Sequence, residues 1–158
     1  MQERGRQYLT FQLSGQDYGI EIAQVREIRA WERATRLPHA PDYVEGVIHL
    51  RGSVLPILDL RRRFGLSDDN RPRMPVVVVV QSDTRRDAAN AGLAVDAVCD
   101  VCEIEVAAIQ SPPQAVAGLD AQLVRGLCSV GDRLLILLDV ECLLGQAVAP
   151  AQDASAAA

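Results

Sequence analysis

The sequence predicts a mainly β protein built from an internal duplication. Apolar residues alternate with polar ones over short segments, which are bounded by glycine, proline or small polar residues. Two stretches of the second half repeat the pattern of the first half in the same order. Because units of this size bury little apolar surface alone, we expect two small β units packed over a common core, with their strands closed into barrels.

Ten short strands follow from this alternation. The first two form a hairpin of residues 9–13 and 18–22, joined by the turn sequence Ser-Gly-Gln-Asp. The other strands are predicted at about 25–30, 46–50, 53–58, 75–81, 91–97, 98–105, 123–130 and 133–139.

Two short helices are predicted from their caps. Asp59 can cap a helix over residues 60–64, and Gly65 follows its end. Asp139 can cap a helix over residues 140–144 in the same way, with Gly145 after its end. This similarity is part of a longer repeat.

An ungapped shift of 80 residues lays VEGVIHLRGSVLPILDLRRRFG, residues 44–65, on VRGLCSVGDRLLILLDVECLLG, residues 124–145. A shift of 73 lays YGIEIAQVREI, residues 18–28, on AGLAVDAVCDV, residues 91–101. Two copies are too few for a solenoid, so we expect a shared core. The join is placed in the polar segment 67–75.

Length and charge narrow the classes of function. The 158 residues can form a core without a metal or disulfide, and the net charge of −5 disfavours a general nucleic-acid binder. The N-terminus lacks the apolar stretch of a signal peptide, and no apolar run approaches the roughly 20 residues that span a bilayer. We therefore expect a cytoplasmic protein without direct membrane insertion, and a disordered tail over residues 146–158.

Candidate catalytic and metal sites are not marked in the sequence. His39 and His49 have no neighbouring nucleophile with an orienting carboxylate, and the glycines stand singly rather than in a phosphate-binding loop. The pair Cys99 and Cys102 lies in a predicted strand, where residues three apart point to opposite faces about 10 Å apart. We predict no catalytic residues, no metal site and no cofactor.

The arginines fall into two settings. Arg61, Arg62 and Arg63 follow a helix cap, and the second repeat has Glu-Cys-Leu there, so we interpret the run as a solvated helix face with Leu60 and Phe64 inside. Arg51 differs, because its repeat partner is Gly131, which suits a tight turn. Arg51 is either a solvated tip beside Gly52 or a held guanidinium that bridges to a carboxylate or partner.

Residues 7–145 resemble the CheW family, the coupling proteins of bacterial chemotaxis. The resemblance is carried by the Tyr-Gly-Ile strand at residues 18–20, the Glu-Ile step at 27–28, the pattern LP-x-AP-x-YV-x-GV and the run LRG-x-V-x-P-x-x-DLR-x-x-FGL. The second half carries GLAVDAVCDV and VRGL…GDRLLILLD, which are similar to the same family.

The resemblance implies two intertwined SH3-like five-stranded β-barrels around a shared apolar core, forming one domain over residues 1–145. Such proteins are not enzymes. They bind the cytoplasmic tip of chemoreceptors and the regulatory domain of the histidine kinase CheA, and they are recruited to membrane-associated receptor arrays. The family's coupling arginine matches Arg51. The positions implicated in receptor or kinase contacts match Val25, Glu27, Ile28, Gly46 and Val98, with Val25 and Val98 flanking a groove between the barrels.

Three departures and two alternatives stay open at this stage. His49 replaces the asparagine usual in the family, and Cys99 and Cys102 replace apolar or small residues. One alternative is a CheW-like adaptor of another chemosensory-type pathway, such as pilus motility. The other is a small redox or metal sensor that uses Cys99 and Cys102.

Overall fold

The computed structural model describes residues 5–67, 69–82, 90–111 and 121–145. Within them, the chain forms ten strands: β1 Arg6–Leu13, β2 Gln16–Glu21, β3 Val25–Ala30, β4 Val44–Leu50, β5 Ser53–Asp59, β6 Val76–Gln81, β7 Asn90–Val95, β8 Ala97–Ile104, β9 Val124–Val130 and β10 Arg133–Leu138. The mainly β prediction is therefore confirmed, and every predicted strand is present. No helix of the described residues is both long and apolar enough to cross a bilayer.

The helices are short. Helix α1 spans Leu60–Arg63, and the Asp59 side chain accepts hydrogen bonds from two backbone N–H groups of its first turn, as predicted. Residues 140–145 are also helical, so Gly145 continues the second helix instead of following it. Asp139 accepts a bond from the N–H of Cys142 at 3.2 Å, which confirms the second cap.

The strands form two five-stranded sheets, and neither sheet corresponds to a single repeat. Barrel 1 has the order β3-β6-β7-β5-β4, and its five strands follow one another in the chain. Barrel 2 has the order β8-β1-β2-β10-β9. The chain crosses between the barrels at Ile22–Gln24, before β3, and at Asp96, before β8. Each barrel therefore contains strands from both repeats, which the sequence repeat alone does not show.

The repeat extends to the register of the strands. The parallel pair β5–β7 sets Ile57 opposite Gly92, and the parallel pair β2–β10 sets Leu137 opposite Gly19. Bulges also recur, with a shift beside residue 26 in β3 and beside residue 99 in β8. Because bulges re-aim side chains, their repetition places equivalent residues on equivalent faces.

In each barrel, the segment that follows one edge strand forms a single bridge with the other edge strand, and this bridge closes the barrel. Thr35 pairs with Val47 in barrel 1, and Gln110 pairs with Leu127 in barrel 2. The closure of barrel 1 brings the backbone of Thr35 so near Gly46 that a Cβ there would lie 2.3 Å from the Thr35 oxygen. These closures remove the exposed edges that short sheets otherwise leave.

The apolar side chains form a core inside each barrel and a larger core between them. Ile48, Leu55 and Ile57 belong to the interior of barrel 1, and Cys128, Leu135 and Leu137 belong to that of barrel 2. The shared core takes residues from both barrels, including Phe11, Tyr18, Leu58, Phe64, Val78, Val80, Leu93, Ile136 and Leu138. The shared apolar core implied by the resemblance is thus present.

This arrangement explains the long apolar run of strand β6. In β6, Val77 and Val79 pack in the interior of barrel 1 while Val78 and Val80 pack in the shared core. A strand with both faces buried reads as a continuous apolar run, because neither face meets water. The predicted boundary at residue 145 remains a prediction, and the predicted tail, 146–158, lies outside the described residues.

Candidate functional site

The hairpin tip between β4 and β5 holds the predicted coupling arginine in an uncommon backbone conformation. Arg51 has φ 51° and Gly52 has φ 81°, so both turn residues are in the left-handed region. The repeat partner of Arg51, Gly131, has φ 61°. The fold thus requires a left-handed residue at this position in both halves, and only the first half places a large side chain there.

Arg51 is held by a carboxylate of the neighbouring strand β3. Its Nη1 donates to Oε1 of Glu27 at 2.7 Å, while the arginine side chain remains 69% exposed. Of the two interpretations of Arg51, the bridge to a carboxylate is the one observed. The structure therefore brings together two of the predicted site residues that are 24 positions apart in sequence.

Glu27 is the centre of a short charged chain. Its Oε2 accepts a second bond from Arg29 at 3.2 Å, and Arg29 also donates to Glu32 at 3.0 Å. The hydrogen bonds from Arg51 and Arg29 hold the pKa of Glu27 below its ordinary value. Glu27 therefore stays ionised and fixes the direction in which the Arg51 guanidinium points.

Strand β3 separates the other predicted residues by face. The bulge at residue 26 sets Val25 opposite Val80 and Ile28 opposite Val78, and both of these partners lie in the shared core. Directly paired residues share a face of a sheet, so Val25 and Ile28 lie on the side of the shared core. Val25 packs at the margin of that core, and Ile28 is 48% exposed.

Strand β8 repeats this arrangement in barrel 2. Val98 pairs with Phe11 and Val101 pairs with Leu9, again on the side of the shared core. Val98 packs at the margin of the shared core. Val101 is 44% exposed, and its repeat partner Ile28 is similarly exposed, at 48%. Sequence reasoning did not select Val101 as a site residue, although the shift of 73 residues pairs it with Ile28.

Gly46 has a structural explanation at the closure of barrel 1. Its φ is 147°, and Thr35 donates to and accepts from Val47 next to it at 2.8 and 2.9 Å. Side chains other than hydrogen do not fit there, because the carbonyl of Thr35 occupies the Cβ direction. A partner contact by Gly46 remains a prediction, but the fold alone accounts for the glycine.

The interpretation of the Arg61–Arg63 run as a solvated face is wrong for its first residue. Arg61 is 2% exposed, and its Nε and Nη2 donate to the two carboxylate oxygens of Asp96 at 2.8 and 2.6 Å. Its other bonds go to backbone oxygens of the segment 67–70. The predicted inward positions of Leu60 and Phe64 are confirmed.

A signal for this difference was present in the sequence. The DLR part of the family pattern names Arg61 and leaves positions 62 and 63 open, so the three arginines should not have been interpreted as one set. Arg62 and Arg63 are half-buried, and the guanidinium of Arg63 lies 5.3 Å from the centre of the Tyr43 ring. Arg61 is therefore a structural cation, and its neighbours line the surface.

The cysteines lack the features of a reactive pair. Cys99, Cys102, Cys128 and Cys142 are all free thiols, which confirms that Cys99 and Cys102 are not joined. Desolvation of their sulfurs raises the pKa of Cys99 and of Cys128, whereas redox-active thiols have a lowered pKa. Among the described residues, no group of three or more histidine, cysteine or acidic side chains is arranged to hold a metal ion.

Exposed apolar side chains also occur at the hairpin ends of both barrels. Val54, beside the β4–β5 tip, is 57% exposed, and its repeat partner Leu134, beside the β9–β10 tip, is 48% exposed. His49 is paired with Val54 and is exposed at the same end. Val54 and Leu134 thus expose apolar side chains at repeat-related positions of the two barrels.

Two closed barrels with an ion-paired arginine tip and matched apolar surfaces define a double-barrel protein-interaction module. A family model described as the CheW-like domain matches residues 7–148. The probable chemotaxis protein CheW of Rhizobium etli is 38% identical over 141 residues, covering 89% of this chain and 88% of that protein. The chemotaxis protein CheW of Klebsiella aerogenes is 36% identical over 140 residues, covering 89% and 82%.

A solved structure shows the same fold. The scaffolding protein TtCheW from Thermoanaerobacter tengcongensis superposes with a TM-score of 0.77 at 30% identity, covering 86% of this chain and 85% of that one. The chain belongs to the CheW family of chemotaxis adaptor proteins.

Proposed function

We propose that this protein is a non-catalytic adaptor that couples the cytoplasmic tips of chemoreceptors to the regulatory domain of the histidine kinase CheA. It would act in the cytoplasm at membrane-associated receptor arrays. The observation that carries the proposal is the Arg51–Glu27 pair, which presents an exposed guanidinium from a left-handed hairpin tip. A preorganised arginine is suited to bind a carboxylate or a helix end of a partner.

In this proposal, the two partners bind at separate apolar surfaces. Val25 and Ile28 from one barrel, with Val98 and Val101 from the other, would flank the groove that receives the helical receptor tip. A helix laid in such a groove buries its apolar face by the usual mode of helix recognition. Val54 and Leu134 at the barrel ends would contact the kinase domain, so one molecule could hold both partners at once.

The test is binding of the purified protein to a soluble receptor fragment that contains the helical tip and, separately, to the kinase regulatory domain. Arg51→Glu should weaken binding of at least one partner about tenfold or more, because it replaces the held cation by a charge that Glu27 repels. Arg125→Glu is the matched control, since Arg125 is an exposed arginine in barrel 2 that pairs with Glu21 at 2.8 Å.

The result is read against folding of each variant, measured by circular dichroism and thermal unfolding. Both arginines are exposed, so we expect either reversal to change the free energy of unfolding by no more than about 1 kcal/mol. Equal binding of both partners by Arg51→Glu and by the wild-type protein would remove the proposed role of Arg51. Absence of any binding by the wild-type protein would overturn the adaptor function itself.

A further inference from the structure

The two crossings of the chain between the barrels are each held by a polar side chain from a helix. Before β8, the carboxylate of Asp96 accepts from Nε and Nη2 of Arg61, which lies on the α1 helix of barrel 1. The same carboxylate accepts from the N–H of Ser14, in the β1–β2 turn of barrel 2, at 2.9 Å. Asp96 is thus bonded to both barrels at the point where the chain passes between them.

The second crossing has an equivalent arrangement, centred on the carboxylate of Glu141. Before β3, Nε2 of the buried Gln24 donates to Oε2 of Glu141 at 2.9 Å, and Glu141 belongs to the 140–145 helix of barrel 2. Oε1 of Glu141 accepts from the hydroxyl of Ser82 at 2.8 Å, just after β6 of barrel 1. Glu141 stands at the repeat position of Arg61, 80 residues later.

We call these two arrangements the Arg61–Asp96 lock and the Glu141–Gln24 lock. The pKa of Asp96 lies below its ordinary value: burial alone would raise it, but the hydrogen bonds from Arg61 and Ser14 and the charges of Arg61 and Arg71 outweigh that effect. Arg61 also donates to three backbone oxygens of the segment 67–70, which joins the repeats. In the second lock, the carboxylate of Glu141 accepts from the amide of Gln24.

Each lock is next to a residue that the proposed function places in the receptor groove. Gln24 directly precedes Val25, and Asp96 is two residues before Val98. We propose that Arg61 and Glu141 are positioning residues that hold the two crossings and so set the separation of Val25 and Val98 across the groove. The groove part of this inference rests on the proposed function, whereas the locks themselves do not.

Amide hydrogen exchange, followed residue by residue by NMR, tests the locks without any partner. The N–H of Asp96 donates to the Gln12 oxygen, and that of Val25 donates to the Ile22 oxygen, so each reports on one crossing. We expect Arg61→Met to speed exchange at Asp96 about tenfold with little change at Val25, and Glu141→Ala to do the reverse. A role in overall stability alone would speed exchange at both sites together.

Three further variants keep the test decisive. Arg62→Met is the control for Arg61, because Arg62 lies on the same helix and pairs with Asp59 of its cap, at 3.7 Å, and not with a crossing. Asp96→Asn replaces Arg61→Met if the latter does not fold, since it removes one charge and keeps the shape. Glu141→Gln should restore the slow exchange at Val25, because an amide can still bond to Gln24 and Ser82.

Binding of the receptor fragment then tests the positioning role. Glu141→Ala and Arg61→Met should weaken that binding about threefold or more, and Glu141→Gln should bind as the wild-type protein does. Exchange rates equal to those of Arg62→Met would overturn the locks, and faster exchange with unchanged affinity would overturn the positioning role. A wild-type protein that binds no receptor fragment would overturn the proposed function, and the exchange rates would still decide the locks.

Discussion

The two hairpin tips of the duplicated barrels have similar backbones and different chemistry. At the β4–β5 tip, Arg51 takes φ 51°, and at the β9–β10 tip, Gly131 takes φ 61°. A residue with a side chain costs about 1 kcal/mol or more in this region, whereas glycine adopts it freely. The first tip therefore carries a side chain that the fold does not need and that makes the turn less stable.

The partner of each tip completes the comparison. Glu27 of β3 bonds to Arg51, whereas its repeat partner Asp100 of β8 has Gly131 at the corresponding position of the second tip. Features shared by both halves, such as the Asp59 and Asp139 caps, serve folding. The Arg51–Glu27 pair, by contrast, occurs in one half only, and the proposed coupling role rests on it.

The largest expected effect concerns the closure of the two barrels. Gly46→Ala should lower the free energy of unfolding by on the order of 3 kcal/mol, because its φ is 147° and the new Cβ meets the Thr35 backbone. Gly126→Ala should cost less, since Gly126 does not have a positive φ and an added Cβ would first meet a side chain, that of Ile109, rather than backbone. Urea denaturation measures both, and equal losses would show that the closures are equivalent.

A smaller effect separates the two acidic partners. Glu27→Lys should weaken binding of the receptor fragment or the kinase domain about tenfold, because it removes the carboxylate that directs Arg51 and adds a repelling charge. Asp100→Lys should change binding less than about threefold, since Gly131 offers no cation to redirect. Titration calorimetry measures both, and equal effects would mean that the first tip is not special.

The smallest expected effect is on the turns themselves. Arg51→Gly should keep or raise the free energy of unfolding, by up to about 1 kcal/mol, while binding weakens. Gly131→Arg should lower it by a similar amount. Thermal unfolding of the two variants checks the pair, and a clear loss of stability in Arg51→Gly would indicate that the Glu27 ion pair supports the fold.

Local patterns in the sequence were enough for the strands and the caps. Alternating segments and continuous apolar runs, with the glycine, proline and small polar residues that bound them, located all ten strands, and the position of Asp59 predicted its helix. The repeat also led to the special status of Arg51. The sequence did not predict which strands pair across the two repeats, since this pairing depends on contacts between residues far apart in the chain.

The site was predicted only in part, because it also depends on contacts between residues far apart in the chain. The ion pair of Arg51 with Glu27 joins distant strands, and the sequence supplied its two members but not their contact. Arg61 was misjudged because its partner Asp96 lies 35 residues away, and because the DLR pattern was not used to separate Arg61 from Arg62 and Arg63. Val101 was missed because the bulge at residue 99 changes which side chains of β8 share a face.

The order of the strands along the chain also affects how the protein folds during its synthesis. Strands β3 to β7 lie within residues 25–95, so barrel 1 can close while the rest of the polypeptide is still being synthesised. The hairpin β1–β2 leaves the ribosome first, yet its pairing partners β8 and β10 emerge last. Proteolysis of ribosome-bound chains of increasing length should therefore show protection of β3–β7 before protection of the N-terminal hairpin.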